Sequence, residues 1–161
     1  MTIGAAVLTI TALIGFTLPR GIISFDAPVA INDSLVLDCL NNSQNATELM
    51  ESLGFPEKWH PDTFETVLPV HIAVPEKPSL ILLLMNNSDE TQGYLLSCSD
   101  QGSIIDSIPA YYWNSEGSMF FYSFINTDGS IVISSEAEDG WGHMTDTTFL
   151  HADGSFTMTR Q

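Results

Sequence analysis

Hydrophobic and polar positions divide the chain into three stretches. An apolar run without charged side chains covers residues 1–19, a mixed and proline-rich stretch covers residues 20–78, and short β-type runs fill residues 79–161. Apolar and polar residues alternate in several of these runs, as in Phe156-Thr157-Met158-Thr159. Alternation with period two is typical of antiparallel strands that bury one face and leave the other in water.

Glycine-containing turn signals separate the β-type runs. A motif of an acidic or amide residue, then Gly-Ser and an apolar residue recurs with Gly102, Gly117, Gly129 and Gly154. Aspartate-glycine favours hairpins because both positions tolerate positive φ. Residues 79–161 therefore predict a mainly β fold, an antiparallel meander of about seven or more strands in a barrel-like or sandwich-like sheet.

One short helix is predicted before this meander. Asn45 can cap it, residues 46–53 carry Leu49, Met50 and Leu53 on one face, and Gly54 ends it. Ahead of it, residues 22–25 and 34–37 each predict a short strand.

Residues 55–78 contain five prolines, which exclude a long helix and any central strand that runs across the whole stretch. The same stretch leaves two short edge strands, at residues 66–68 and 70–74.

The apolar N-terminal segment, residues 1–24, is interpreted as a signal-like or anchoring segment ahead of a single β-rich domain at residues 25–161. Its apolar run matches the hydrophobic region of a signal peptide, although the residues ahead of the run include no Lys or Arg and no Ala-x-Ala cleavage site follows it. The alternative is a buried strand or helix of the domain itself. Export predicts an extracytoplasmic protein, periplasmic, secreted or membrane-anchored, that meets a membrane only through this segment.

The charge balance narrows the range of partners. The chain has 20 acidic residues against four Lys and Arg, a net charge of −16. Such a charge repels phosphate backbones, so nucleic acid is excluded as an expected partner. It suits a basic protein partner, a cation, or solubility alone.

The residues that could carry catalysis form no recognised pattern. Cys39 and Cys98 could form one disulfide or stay as two buried thiols, and neither belongs to a Cys-x-x-Cys pair. His143 and His151 lie near several carboxylates, yet no zinc-type spacing accompanies them. We therefore expect neither a metal nor a cofactor, and lean towards a protein that is not an enzyme.

Aromatic and acidic side chains give the candidate binding site. Three adjacent rings on one strand cannot all face the core, because neighbouring residues point to opposite faces. Tyrosine and tryptophan are favoured anchors at interfaces, and Trp59 is a further candidate. The predicted site residues are Tyr111, Tyr112, Trp113, Glu136, Glu138, Asp139 and Trp141.

The sequence predicts a domain that binds a protein partner, a basic one being favoured, in the manner of an inhibitor or toxin-neutralising (immunity-type) protein. Two alternatives stay open. One is a metal-dependent hydrolase that uses the acidic and histidine-containing loop at residues 136–151. The other is an envelope structural subunit that assembles with copies of itself.

Overall fold

The computed structural model describes residues 17–59, 61–117, 119–136 and 143–159. Ten strands form one open mixed sheet accompanied by two α-helices, so the mainly β prediction is confirmed. The strands are β1 (Ile23–Asp26), β2 (Val29–Ile31), β3 (Thr66–Ala73), β4 (Ser79–Asn86), β5 (Glu90–Cys98), β6 (Ile104–Asn114), β7 (Phe120–Ile125), β8 (Ser130–Glu136), β9 (Met144–Leu150) and β10 (Phe156–Thr159). The helices are α1 (Asp33–Asn41) and α2 (Ala46–Leu53), with a 3₁₀ turn at Glu57–Trp59.

The strand order confirms the meander and corrects its detail. From β3 to β10 each strand pairs antiparallel with the next strand in the chain. The first two strands depart from this order, because β1 runs parallel to β3 and β2 lies antiparallel beside β7. The sheet is therefore mixed, and it is open, with β1 and β10 at the two ends of the strand order.

The four motif glycines all lie in turns between successive strands and all have positive φ, between 71° and 87°. The expected turn type is wrong, because Glu76 is the one described non-glycine residue with positive φ, and Asp128 is not. Instead, Asp128 Oδ1 accepts hydrogen bonds from the backbone N–H of Ser130 at 2.9 Å and from its hydroxyl at 2.7 Å. These bonds hold the pKa of the Asp128 carboxyl below its ordinary value, because they favour the charged form. Each of these turns therefore requires positive φ only at its glycine.

Strand β4 is buried on both faces, which explains its unbroken apolar sequence. Leu80, Leu82 and Leu84 contribute to a core shared with β2, α1 and the later strands. Ile81 and Leu83 face the other way and pack under α2 and the 3₁₀ turn. A strand covered on both sides has no need of polar alternation.

The helix α2 is confirmed with the predicted bounds, and Gly54 ends it in the left-handed conformation. A second helix, α1, replaces the strand predicted at residues 34–37. The side chain of Asn32 caps it by accepting a hydrogen bond from Leu35 N at 3.1 Å. Asp33 lies in the first turn of α1, where a negative charge interacts favourably with the helix dipole. These two signals outweigh the β propensity of Leu-Val-Leu.

The two short strands predicted at residues 66–68 and 70–74 are in fact one strand, β3. Pro69 lies inside β3, opposite Leu83 of β4. The parallel partner β1 joins β3 only from Val70 onward, so the proline lies where β3 still has one open edge. An open edge tolerates a residue without an N–H group.

The last hairpin folds back onto the middle of the sheet. Ser97 Oγ on β5 donates a hydrogen bond to Gly154 O in the β9–β10 turn. Phe156 N donates to Asp106 Oδ2 on β6 at 2.9 Å. The early and late strands thus enclose one core, to which Leu82, Leu150 and the partly buried Phe156 all contribute.

The structure describes only the last part of the predicted export segment. Residues 1–16 of the predicted export segment lie outside the described residues, while Leu18 and Ile22 pack against the core and β1 begins at Ile23.

Cys39 and Cys98 are free, buried thiols in separate clusters, and burial raises the pKa of each to about 11. Within the described ranges, the helices are too short or too polar to cross a bilayer.

Candidate functional site

Aromatic rings and carboxylates meet at the end of the sheet where β5 begins, β6 ends, β7 begins and β8 ends. The register places Glu90 opposite Asn114, Tyr112 opposite Phe121, and Phe120 opposite Glu136. We call this region the aromatic–acidic end. Its members are Asp33, Glu90, Tyr111, Tyr112, Trp113, Phe120, Phe121, Tyr122 and Glu136.

Tyr111, a predicted site residue, is buried rather than presented to solvent. Its side chain is 4% exposed, and its hydroxyl donates to Asp33 Oδ1 at 2.8 Å. Burial raises the pKa of this phenol, and the hydrogen bond and charge of Asp33 raise it further. Gly93 lies opposite, where an added Cβ would come within 2.9 Å of the Tyr111 Cβ. Tyr111 therefore serves to hold Asp33 in place.

Tyr112 lies on the opposite face of β6 and is half-buried, as the alternation of neighbouring residues requires. Its ring packs against Phe121 with a centroid distance of 6.0 Å, and its hydroxyl donates to Glu90 Oε2 at 3.4 Å. The Asn114 side-chain amide donates in turn to the Tyr112 hydroxyl at 3.2 Å. A ring and a carboxylate are thus held together within reach of solvent.

Trp113 lies on the same face of β6 as Tyr111, where it is half-buried and packs against the main core. It lines a cleft of about 280 Å³ between α1 and strands β4 to β6. The residues that line this cleft are Asp33, Val36, Leu37, Leu40, Asn86, Thr91, Tyr111 and Trp113.

Glu136 is exposed at the same end and lies 3.6 Å from His143 Nδ1, with the two side chains 58% and 61% exposed. An ion pair this exposed has little energetic weight, and it exists only when the histidine is protonated. The other predicted members, Glu138, Asp139 and Trp141, lie outside the described residues.

The two histidines considered for a metal do not come together. His143 precedes β9 and His151 follows it, so the extended strand separates them by about 26 Å. His151 Nε2 instead lies 3.0 Å from Thr157 Oγ1. In the part of the chain that the structure describes, no three His, Cys, Asp or Glu side chains are grouped to hold a metal ion.

Trp59, the further candidate anchor, is a core residue that is 9% exposed. Its ring packs edge-on against Tyr94 with centroids 5.6 Å apart, and Lys58 Nζ lies 5.2 Å above it. It borders a larger and more open cleft of about 650 Å³ between the end of α2 and the β5–β6 turn.

Sequence reasoning missed Asp33 and Glu90, the two carboxylates that the tyrosine hydroxyls hold. Asp33 falls between the two short strands predicted at residues 22–25 and 34–37, although Asn32-Asp33 is also a good start for a helix. The contact between Asp33 and Tyr111 joins residues 78 positions apart, and local patterns carry no signal for it.

Comparison with known proteins gives no further guide to the site. No protein-family model matches the chain, and no curated protein or solved structure shows significant similarity to it. The function must therefore be inferred from the residues themselves.

Proposed function

We propose that this protein is a non-catalytic binding domain that recognises a basic protein partner through the aromatic–acidic end. The observation that carries the proposal is the pairing of carboxylates with rings: Asp33 with Tyr111, and Glu90 with Tyr112. Among the described residues, the one ion pair joins Glu136 to His143, and no Lys or Arg lies within salt-bridge distance of a carboxylate.

This arrangement suits lysine and arginine side chains. A cation placed over an aromatic face gains from the ring's negative potential, and a neighbouring carboxylate adds a charge-assisted hydrogen bond. Because the tyrosine hydroxyls already orient Asp33 and Glu90, little side-chain freedom is lost on binding. Half-buried tyrosine and tryptophan supply the contact area.

The net charge of −16 supports the same partner class at longer range. Complementary charge raises the rate of association and disfavours acidic partners. An inhibitor or toxin-neutralising protein would use both effects. The proposed extracytoplasmic location depends on the apolar residues 3–16, and sequencing the N-terminus of the protein isolated from its own host would test it.

The experiment is affinity capture with the full chain, followed by mass spectrometry and measurement of association rates for each captured protein. We expect the bait to retain basic proteins at low salt and lose them at high salt. The double reversal Glu90→Lys/Glu136→Lys should abolish the same capture. Salt-independent capture, or capture of acidic proteins only, would contradict the proposal.

The matched control is Glu51→Lys/Glu65→Lys, which changes the net charge equally at two exposed residues on or beside other elements. A partner that binds at the aromatic–acidic end should keep most of its affinity for this control. Equal losses in both double variants would show that net charge alone attracts it, and the proposed site would be wrong.

A further inference from the structure

The cleft beside α1 combines an apolar interior with one carboxylate at its rim. Val36, Leu40 and Trp113 form its walls, and Leu37, which is 58% exposed, forms a lip. A volume of about 280 Å³ lies at the lower limit for small-molecule pockets, so it suits one long side chain rather than a large cofactor.

The one carboxylate that lines the cleft keeps an oxygen that can accept a hydrogen bond. Asp33 Oδ1 takes the Tyr111 hydroxyl, and among the described residues nothing donates to Asp33 Oδ2. Away from this rim, the Thr91 hydroxyl donates to Asn86 Oδ1 at 2.7 Å, which satisfies both groups. One carboxylate oxygen is thus left for an incoming donor.

The cleft also lacks positive charge of its own. Neither lysine nor arginine is among the residues that line it, and Asp33 is the one acidic residue among them. A cation is therefore the charge-complementary occupant, provided that the rest of the occupant is apolar enough for leucine, valine and tryptophan walls.

We propose that this cleft receives an arginine side chain of the basic partner. The inference rests on the proposed function and names its anchor residue. Arginine fits better than lysine because its guanidinium is planar and can stack on an indole such as Trp113 while one of its N–H groups donates to Asp33 Oδ2. Its three methylene groups cover the apolar walls while the charge stays at the rim.

The test is a titration of the full chain with N-acetyl-arginine-N-methylamide, followed by the methyl NMR signals of Val36, Leu37 and Leu40. We expect saturable shifts at these methyl groups. The lysine analogue should bind more weakly, and the neutral citrulline analogue should bind about tenfold more weakly or not at all. Equal binding of arginine and citrulline derivatives would overturn the assignment.

Three variants test whether the arginine derivative binds in the cleft. Asp33→Asn should weaken arginine binding about tenfold, while Asp38→Asn on the same helix removes the same charge outside the cleft and should change it less than about twofold. Leu37→Ser removes the exposed lip with little effect on folding and should also weaken binding. Equal losses in Asp33→Asn and Asp38→Asn would reject the cleft as the site.

The two proposals fail separately. If the partner binds at the aromatic–acidic end while the arginine derivative leaves the cleft methyl signals unmoved, the arginine anchor is wrong and the proposed function stands. If the derivative binds in the cleft but no captured protein depends on Glu90 and Glu136, the proposed function is wrong and the cleft assignment stands.

Discussion

The early and late parts of the sheet differ in how many of their faces are covered. In β4, Leu82 and Leu83 point to opposite faces and both are fully buried, one in the main core and one beneath α2. In β9, Thr148 is buried while its neighbour Phe149 is 41% exposed. The unbroken apolar run thus marks coverage on both faces, and the alternating run marks one bare face.

The bare face of the later strands is also uncharged along its central row. Register places Phe124, Val132, Thr147 and Thr159 side by side on four adjacent strands. Glu136 lies at the end of β8 and Asp128 in a turn, and Asp146, inside β9, belongs to the opposite face, which buries Thr148. The aromatic–acidic end forms where the covered and the bare parts meet, at β6 and β7.

The largest expected effect comes from truncating one large apolar side chain in each of the two parts. Leu82→Ala should lower the free energy of unfolding by about 2–5 kcal/mol, because the methyl groups lost are fully buried. Phe124→Ala, at a position 42% exposed, should cost about 1 kcal/mol or less. Urea denaturation measures both, and similar losses would show that the later face is covered after all.

A smaller effect tests the contact that joins the two parts. Gly154→Ala would place a Cβ 2.4 Å from Ile105 Cδ1 and 3.3 Å from its Cγ2, so turning the terminal methyl group away would still leave a close contact. Gly21→Ala has similar positive φ but nothing within 4 Å. We expect Gly154→Ala to cost about 1–3 kcal/mol more than Gly21→Ala in thermal or urea unfolding.

The Ile105→Ala background supplies the control for that comparison. Removing the Ile105 side chain beyond Cβ opens the space, so the extra cost of Gly154→Ala should largely vanish there. An unchanged cost would mean that the backbone alone, and not this contact, limits the β9–β10 turn.

The smallest effect concerns the half-buried His71 on β3, whose Nδ1 lies 2.8 Å from Ser24 Oγ. Burial lowers its pKa below the ordinary 6.5, and the charge of Asp26 opposes this only in part. As the pH falls through 6.5, the unfolded chain binds the proton more readily, so the free energy of unfolding should fall. Urea unfolding of wild type and His71→Gln, on both sides of pH 6.5, should show a weaker pH dependence in the variant. An equal dependence in both would assign it to other groups.

Local signals predicted the turns and α2 well. Gly102, Gly117, Gly129 and Gly154 each lie where the chain reverses, because positive φ is a local requirement that glycine meets. The end of α2 follows from Gly54 in the same way, whereas the cap predicted at its start is not formed, because the Asn45 side chain makes no capping hydrogen bond.

Non-local contacts account for most of what the sequence left out. The Leu-Val-Leu segment of α1 has β propensity, and only the Asn32 cap together with packing against the core makes it helical. The alternation along Tyr111 and Tyr112 predicted two faces but not which face is buried. That depends on Gly93 and Asp33, which come from distant strands and helices.

The strand order has a consequence for synthesis on the ribosome. From β4 onward each strand pairs with the strand translated just before it, so the sheet can form one hairpin at a time as the chain leaves the ribosome. Strand β2 is made early, yet it pairs with β7. Its edge must stay unpaired until β7 has been translated, so β2 should dock only after the hairpins from β3 to β6 have formed.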